Sequence, residues 1–320
     1  MEGGAVGSCD ITLRPGSMLK TGEHTADTGT AGSITLLAQS ALPCLLFASR
    51  DGDAAAANDS CRLTLKGGTD TTSAPAVDYL LHVLLPTLRR QLHVDVSAIL
   101  HVRGFYPKGG GVLSLTATPL APGQQLPCIE LVNRGHIVAV RGIAFVAGNI
   151  PLHAAQRMAN AAKAALLAAD IPLDASCVDI TVCQEPPNRA VGSGCGITLV
   201  AETDTGCLLG ASGLGQRGKR AEDVGADAGA ELGVALKSRA CVDCHCADQL
   251  IVFMALAGAT GRMLAPSPLS LHARTAMAVA TQMTSAKFDV VEADALTASV
   301  HVPPGTCLVT CTGTSMTVKT

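Results

Sequence analysis

The sequence predicts an α/β (α+β) fold of repeated βαββ-type units with a smaller α/β domain inserted, and three observations predict it. Leu80, Leu81, Leu84, Leu85 and Leu88 recur at helical spacing, and two strand-like runs follow over 94–102 and 112–118, with Gly109-Gly110-Gly111 at the turn. The same order of helix, strand, turn and strand returns over 273–283, 288–291 and 307–311. Between the copies lies a block of different pattern, long enough to close a small core of its own. Residues 1–141 and 239–320 are therefore expected to form the repeat domain, with an incomplete first repeat. Residues 142–238 are expected to form the inserted α/β domain.

The elements follow in order. Residues 9–13 read as a strand, 32–48 as a helix interrupted by Pro43, and 62–65 as a strand. Residues 51–60 are rich in Ala, Asp, Asn and Ser, which suits a mobile surface loop. Pro86 inside the Leu80–Leu88 pattern lacks an N–H and should kink or shorten that helix. The inserted block carries an Ala-rich helix over 153–169, strands over 178–182, 197–201 and 207–211, and a helix over 222–236. Gly225 and Gly229 weaken that last helix, because glycine loses most backbone freedom on becoming helical.

Composition narrows the function classes. A chain of 320 residues, 48% of them hydrophobic, can bury a sizeable core. A net charge of −3, with 15% charged residues, argues against a protein that coats nucleic acid electrostatically. Trp is absent and aromatics are 2%, so platforms for stacking successive bases are few, and an RNA substrate would be gripped at one end. Basic residues cluster locally at Arg89-Arg90, at Arg103 with Lys108, and at Arg217 with Lys219-Arg220; the first pair reads as a solvated helix face. Thirteen cysteines without a signal peptide point to a reducing compartment and free thiols. The longest apolar run, 250–260, is shorter than the ~20 residues a bilayer span requires, so no membrane partner is expected. Cys241, Cys244, His245 and Cys246 crowd together, but zinc ligands normally come as two separated pairs and no second pair follows. They read as incidental thiols, and no metal ligand is assigned.

One stretch, Arg103-Gly104-Phe105-Tyr106-Pro107-Lys108-Gly109-Gly110-Gly111, is answered by four distant segments. These are Glu23-His24-Thr25-Ala26-Asp27-Thr28, Gly67-Gly68-Thr69-Asp70, Ala247-Asp248-Gln249-Leu250 and Leu271-His272-Ala273-Arg274-Thr275. Physical reasoning alone takes them only part of the way. Glycines admit backbone amides to a phosphate, and Arg103 and Lys108 would neutralise it, yet Lys-Gly-Gly-Gly between strands is more often a hairpin turn. No P-loop spacing follows. Asp248 before an apolar run reads as a helix cap. Nothing intrinsic separates His272 from the other histidines, but an extended lead-in places it near a helix N-terminus, where free amides and the dipole favour phosphate and a neutral imidazole.

In this order the segments resemble the RNA 3'-terminal phosphate cyclases, from about Gly7 to the C-terminus. The resemblance implies repeated βαββ-type units interrupted by a small α/β domain. It implies ATP, with Mg²⁺ or Mn²⁺, as cofactors and an RNA 3' end as partner. His272 matches the family histidine that attacks the α-phosphate of ATP and carries AMP. Gln39, Asp248 and Gln249 match nucleotide-site positions. His245 falls where relatives carry Tyr, and Leu13 where they carry Phe, which removes aromatic contacts to adenine. Arg103, Lys108, Gly109 and Gly110 fall at the phosphate or RNA side. Family members open with a Glu-Gly-Gly-Gly-Gln segment whose Glu binds metal; Met1-Glu2-Gly3-Gly4 echoes it only superficially, so no metal role passes to Glu2. The chain is thus expected to lack that segment, to expose apolar surface and to be poorly soluble.

The expected activity is conversion of an RNA 3'-terminal phosphate to a 2',3'-cyclic phosphate through a covalent His-AMP and an RNA-adenylate. The alternatives are a non-catalytic, cyclase-like ribosome-biogenesis factor, against which His272 speaks, or a truncated inactive cyclase. A shikimate-pathway transferase on a related architecture has no matching motif. The resemblance implies a nuclear location in a eukaryote and a cytoplasmic one otherwise.

Overall fold

The computed structural model describes residues 2–14, 20–49, 60–293 and 302–318. The first repeat runs through β1 (Gly22–Asp27), α1 (Ile34–Leu46), β2 (Cys61–Gly67), α2 (residues 77–92), β3 (Val96–Gly104) and β4 (Gly111–Ala117). Strand β1 pairs with β2 in parallel, and β4 lies antiparallel between β2 and β3. Burial alternates along β2 and β4, so Leu63, Leu65, Leu113 and Leu115 enter one core with Ile34, Leu42, Leu84 and Leu88 of the helices. Pro86 leaves a mark: α2 is α-helical over Val77–Tyr79, π-helical over Leu80–Leu84, and α-helical again over Leu85–Leu92. The wider turn precedes the residue that cannot donate, so the helix adapts rather than ends.

The second repeat starts with the short strand β5 (Glu130–Leu131) and is then interrupted. Strands β6 (Ile137–Ala147), β7 (Val178–Gln184), β9 (Gly194–Thr203) and β10 (Leu208–Leu214) form a four-stranded sheet in the order β10-β9-β6-β7. Helices α3 (Leu152–Leu167) and α4 (Ala221–Lys237) pack on it, while β8 (Ala190–Val191) leaves to extend the first sheet beside β3. The repeat resumes with α5 (Cys244–Leu256), β11 (Thr260–Pro266), α6 (Leu271–Met283), β12 (Lys287–Glu292) and β13 (Thr306–Thr312). Strand β5 is parallel to β11, and β13 lies antiparallel between β11 and β12. The order β5-β11-β13-β12 therefore repeats β1-β2-β4-β3 with the same directions. The inserted sheet enters the second repeat between its first strand and its first helix.

Several expectations need correction. Residues 9–13 form no strand; Thr12 makes a single bridge to Glu2. Pro43 does not interrupt α1, which runs through it to Leu46. Position 142 falls inside β6, all of whose strand partners belong to the inserted sheet. The expected loop over 51–60 lies, save Ser60, outside the described residues. No helix among the described residues is long and apolar enough to cross a membrane.

Candidate active site

A cavity of about 1090 Å³ opens where α1, the start of α2, α5 and the start of α6 meet. It slightly exceeds the roughly 300–1,000 Å³ of most small-molecule sites. Its wall gathers Gln39, His245, Asp248, Gln249 and His272, which are scattered over more than two hundred positions of sequence.

His272 is the second residue of α6. Ser270 caps that helix, its Oγ accepting from the Ala273 amide at 3.0 Å. His272 thus sits on the first turn of α6, where backbone amides lack intrahelical acceptors, and its side chain is 86% exposed. Asp248 Oδ2 lies 3.9 Å from His272 Nδ1, too long for a hydrogen bond but close enough for an electrostatic pull. Burial pushes the Asp248 carboxyl up to about 6, while His245 and His272 pull against the shift.

Asp248 is not the cap of its helix. Asp243 is: its Oδ1 accepts from the His245 and Cys246 amides at 2.9 Å each. The buried Tyr79 hydroxyl donates to the same oxygen at 2.7 Å, and the Gly210 amide to Oδ2 at 2.7 Å. Asp243 thereby fixes the start of α5 against α2 and the inserted sheet, which sets Asp248 and Gln249 in the cavity wall. The Tyr79 ring meets His245 edge-on, centroids 6.2 Å apart. Cys244 and, next, Glu231 hold the His245 imidazole protonated, up to about 11. Gln39 is half-buried on α1; Pro43, four residues on, has no N–H to give the Gln39 carbonyl, so that carbonyl lacks its usual helical donor. Tyr79, Phe253 and Ser212 also line the cavity. Sequence reading missed all three, because Tyr79 and Phe253 sit in apolar helical runs that read as core, and nothing marks Ser212.

The expected phosphate cluster lies elsewhere. Arg103 is buried, and none of the cavity wall is its side chain. Its guanidinium pairs with Asp70 at 3.3 Å, Asp78 at 2.9 Å and Glu185 at 2.7 Å, and stacks 3.8 Å over the Phe145 ring. Those carboxylates hold it charged well beyond the ordinary arginine range, and burial raises Asp70 to about 6 against the pull of Arg103. A cation already committed to three carboxylates has little charge left for a phosphate. Gly109 has φ +66°, and a Cβ there would collide with the Thr30 carbonyl. It serves a hairpin packed tightly on a neighbouring loop. Gly110 and Lys108 are exposed on that same hairpin, away from the cavity wall. In the inserted unit, Lys219 pairs with Asp227 at 2.6 Å and Arg220 with Glu222 at 3.7 Å.

The cavity combines an apolar wall with convergent polar groups, the make-up of a small-molecule site. The one trio of potential metal ligands among the described residues is Glu231, Cys244 and His245, whose sulfur and nitrogen donors suit a softer ion than Mg²⁺.

A family model described as RNA 3'-terminal phosphate cyclase matches residues 1–290. A protein of Pyrococcus furiosus named RNA 3'-terminal phosphate cyclase is 39% identical over 259 residues, 81% of this chain and 68% of its own. One of that name from Pyrobaculum aerophilum is 36% identical over 292 residues, 91% of this chain and 77% of its own. A third, from Drosophila melanogaster, is 35% identical over 308 residues, 96% and 77%. On the span of that match and the level of identity, the chain belongs to the RNA 3'-terminal phosphate cyclase family.

Proposed function

We propose that the chain converts an RNA 3'-terminal phosphate to a 2',3'-cyclic phosphate at the expense of ATP, with His272 as nucleophile. The observation that carries this reading is the meeting of His272, Asp248, Gln249, Gln39 and His245 in one cavity at the N-terminus of α6. Gln39 and Gln249 offer the donors and acceptors that read a base, with the freed Gln39 carbonyl as acceptor for an exocyclic amine. Asp248 orients His272 through Nδ1, so that Nε2 attacks the α-phosphorus and the bond to the bridging oxygen of pyrophosphate breaks. The first-turn amides of α6 stabilise charge on the α-phosphate. His272 then holds AMP until an oxygen of the RNA 3'-phosphate displaces it. The adjacent 2'-hydroxyl attacks the activated phosphate, losing its proton, and AMP departs as the ring closes. A divalent ion would screen the phosphates, arriving with the nucleotide; no residue of the chain is assigned to it.

The test is incubation with α-labelled ATP and Mg²⁺, followed by isolation of acid-labile protein-bound label. Wild type is expected to label, and His272→Ala to lose the label while keeping its circular dichroism and melting curve. A folded His272→Ala protein that labels and cyclises undiminished would overturn the assignment.

A further inference from the structure

We infer that Glu231, Cys244 and His245 form a Zn²⁺ site at the seam between the inserted unit and the second repeat. One ligand atom from each residue lies within 4.8 Å of the others. Zn²⁺ bonds of about 2.0–2.3 Å would ask these exposed side chains to close by roughly an ångström. Glu231 comes from the last turns of α4, and Cys244 and His245 from the first turn of α5, so two rigid helices supply the donors. Thiolate, imidazole and carboxylate are the three donor types that zinc takes, and three protein ligands leave a fourth position for water.

The supports behind the ligands are in place. Asp243 fixes the α5 start through two amides, and Tyr79 both anchors Asp243 and meets the His245 ring edge-on. His245 Nε2 already lies 3.2 Å from Glu231 Oε1, so the imidazole faces the carboxylate before any metal enters. Inspection of the sequence alone looks for a second Cys/His pair and passes over Glu231, because the third ligand is a carboxylate thirteen residues before Cys244 on another helix. His245 also lines the large cavity, so the ion would hold one of its wall residues and tie α4 to α5. The site does not depend on the adenylylation chemistry, and metal binding can be read whether or not the chain labels with AMP.

The experiment is a Co²⁺ titration of the full chain with thiols kept reduced by a phosphine, followed by absorption spectroscopy and then Zn²⁺ competition. The expected result is one equivalent bound, with a near-ultraviolet thiolate-to-cobalt band and the visible bands of a tetrahedral ion, both erased by Zn²⁺. Cys244→Ser should abolish the charge-transfer band, and Glu231→Gln should weaken binding by at least ~10-fold. Both positions are exposed, so circular dichroism should be unchanged. A band that persists in Cys244→Ser would place the ion on another of the thirteen thiols and overturn the site. Unchanged affinity in Glu231→Gln would remove the link between the two units, and the absence of saturable binding in wild type would remove the site altogether.

Discussion

The pairing of Asp248 with His272 makes a pH-dependent prediction. Above about 6 the Asp248 carboxyl faces His272 Nδ1 as an anion; below that value it is protonated and its electrostatic pull on the ring is lost. Labelling in a single turnover should therefore decline as pH falls through about 6. Asp248→Asn should remove that acid limb and slow labelling by ~10-fold or more; an acid limb unchanged in the variant would assign the titration to another group. Stability should move the other way. A carboxyl whose folded pKa is raised binds its proton more tightly folded than unfolded, so its ionised form opposes folding at neutral pH. The melting temperature of Asp248→Asn at pH 7 should be equal to or above that of wild type, which separates a positioning role from a structural one. At this scale legibility was uneven. Resemblance, not periodicity, is what singles out His272, Asp248, Gln249, Gln39 and His245, since an imidazole or an amide carries no mark of the cavity it faces. Likewise, nothing local to Arg103 shows that Asp70, Asp78 and Glu185 converge on its guanidinium.

Between elements, the glycines of α4 change meaning. Gly225 and Gly229 read as weaknesses in a helix, yet a Cβ on either would strike the Met158 or Ala162 carbonyl of α3. They are what allows the two helices of the inserted unit to cross closely. Gly225→Ala, favourable for helix propensity, should instead destabilise by ~1–3 kcal/mol, because backbone cannot yield as a side chain can. Urea denaturation checks it; a stabilised variant would mean that the crossing is loose. Strong periodicity made the longer helices and hairpin strands readable from sequence. The π turn before Pro86 and the two-residue β5 were not, because each exists through what packs on it.

Across the whole molecule, Arg103 joins parts that sequence analysis treats separately. Asp70 and Asp78 belong to the first repeat, while Glu185 follows β7 of the inserted unit. Replacing Arg103 with Met leaves buried carboxylates uncompensated and should cost ~3–5 kcal/mol. The loss should appear in denaturation midpoints, and a variant as stable as wild type would show that water or another cation satisfies the cluster. The repeat grammar of the fold was legible because each copy carries its own helix and hairpin. The site was less so, because its wall is assembled from helices of both repeats and a residue of the inserted unit.

The place of the insertion also bears on how the chain comes together in time. Strand β5 gains its neighbouring strand only when β11 is made: Glu130 stands opposite Arg262, 132 residues later. During synthesis the first repeat has all its strands once β4 emerges, and can collapse at once. The second repeat must wait until the whole inserted unit has left the ribosome, because its sheet begins on one side of that unit and continues on the other. The cavity, whose walls come from both repeats, is among the last parts of the protein to exist.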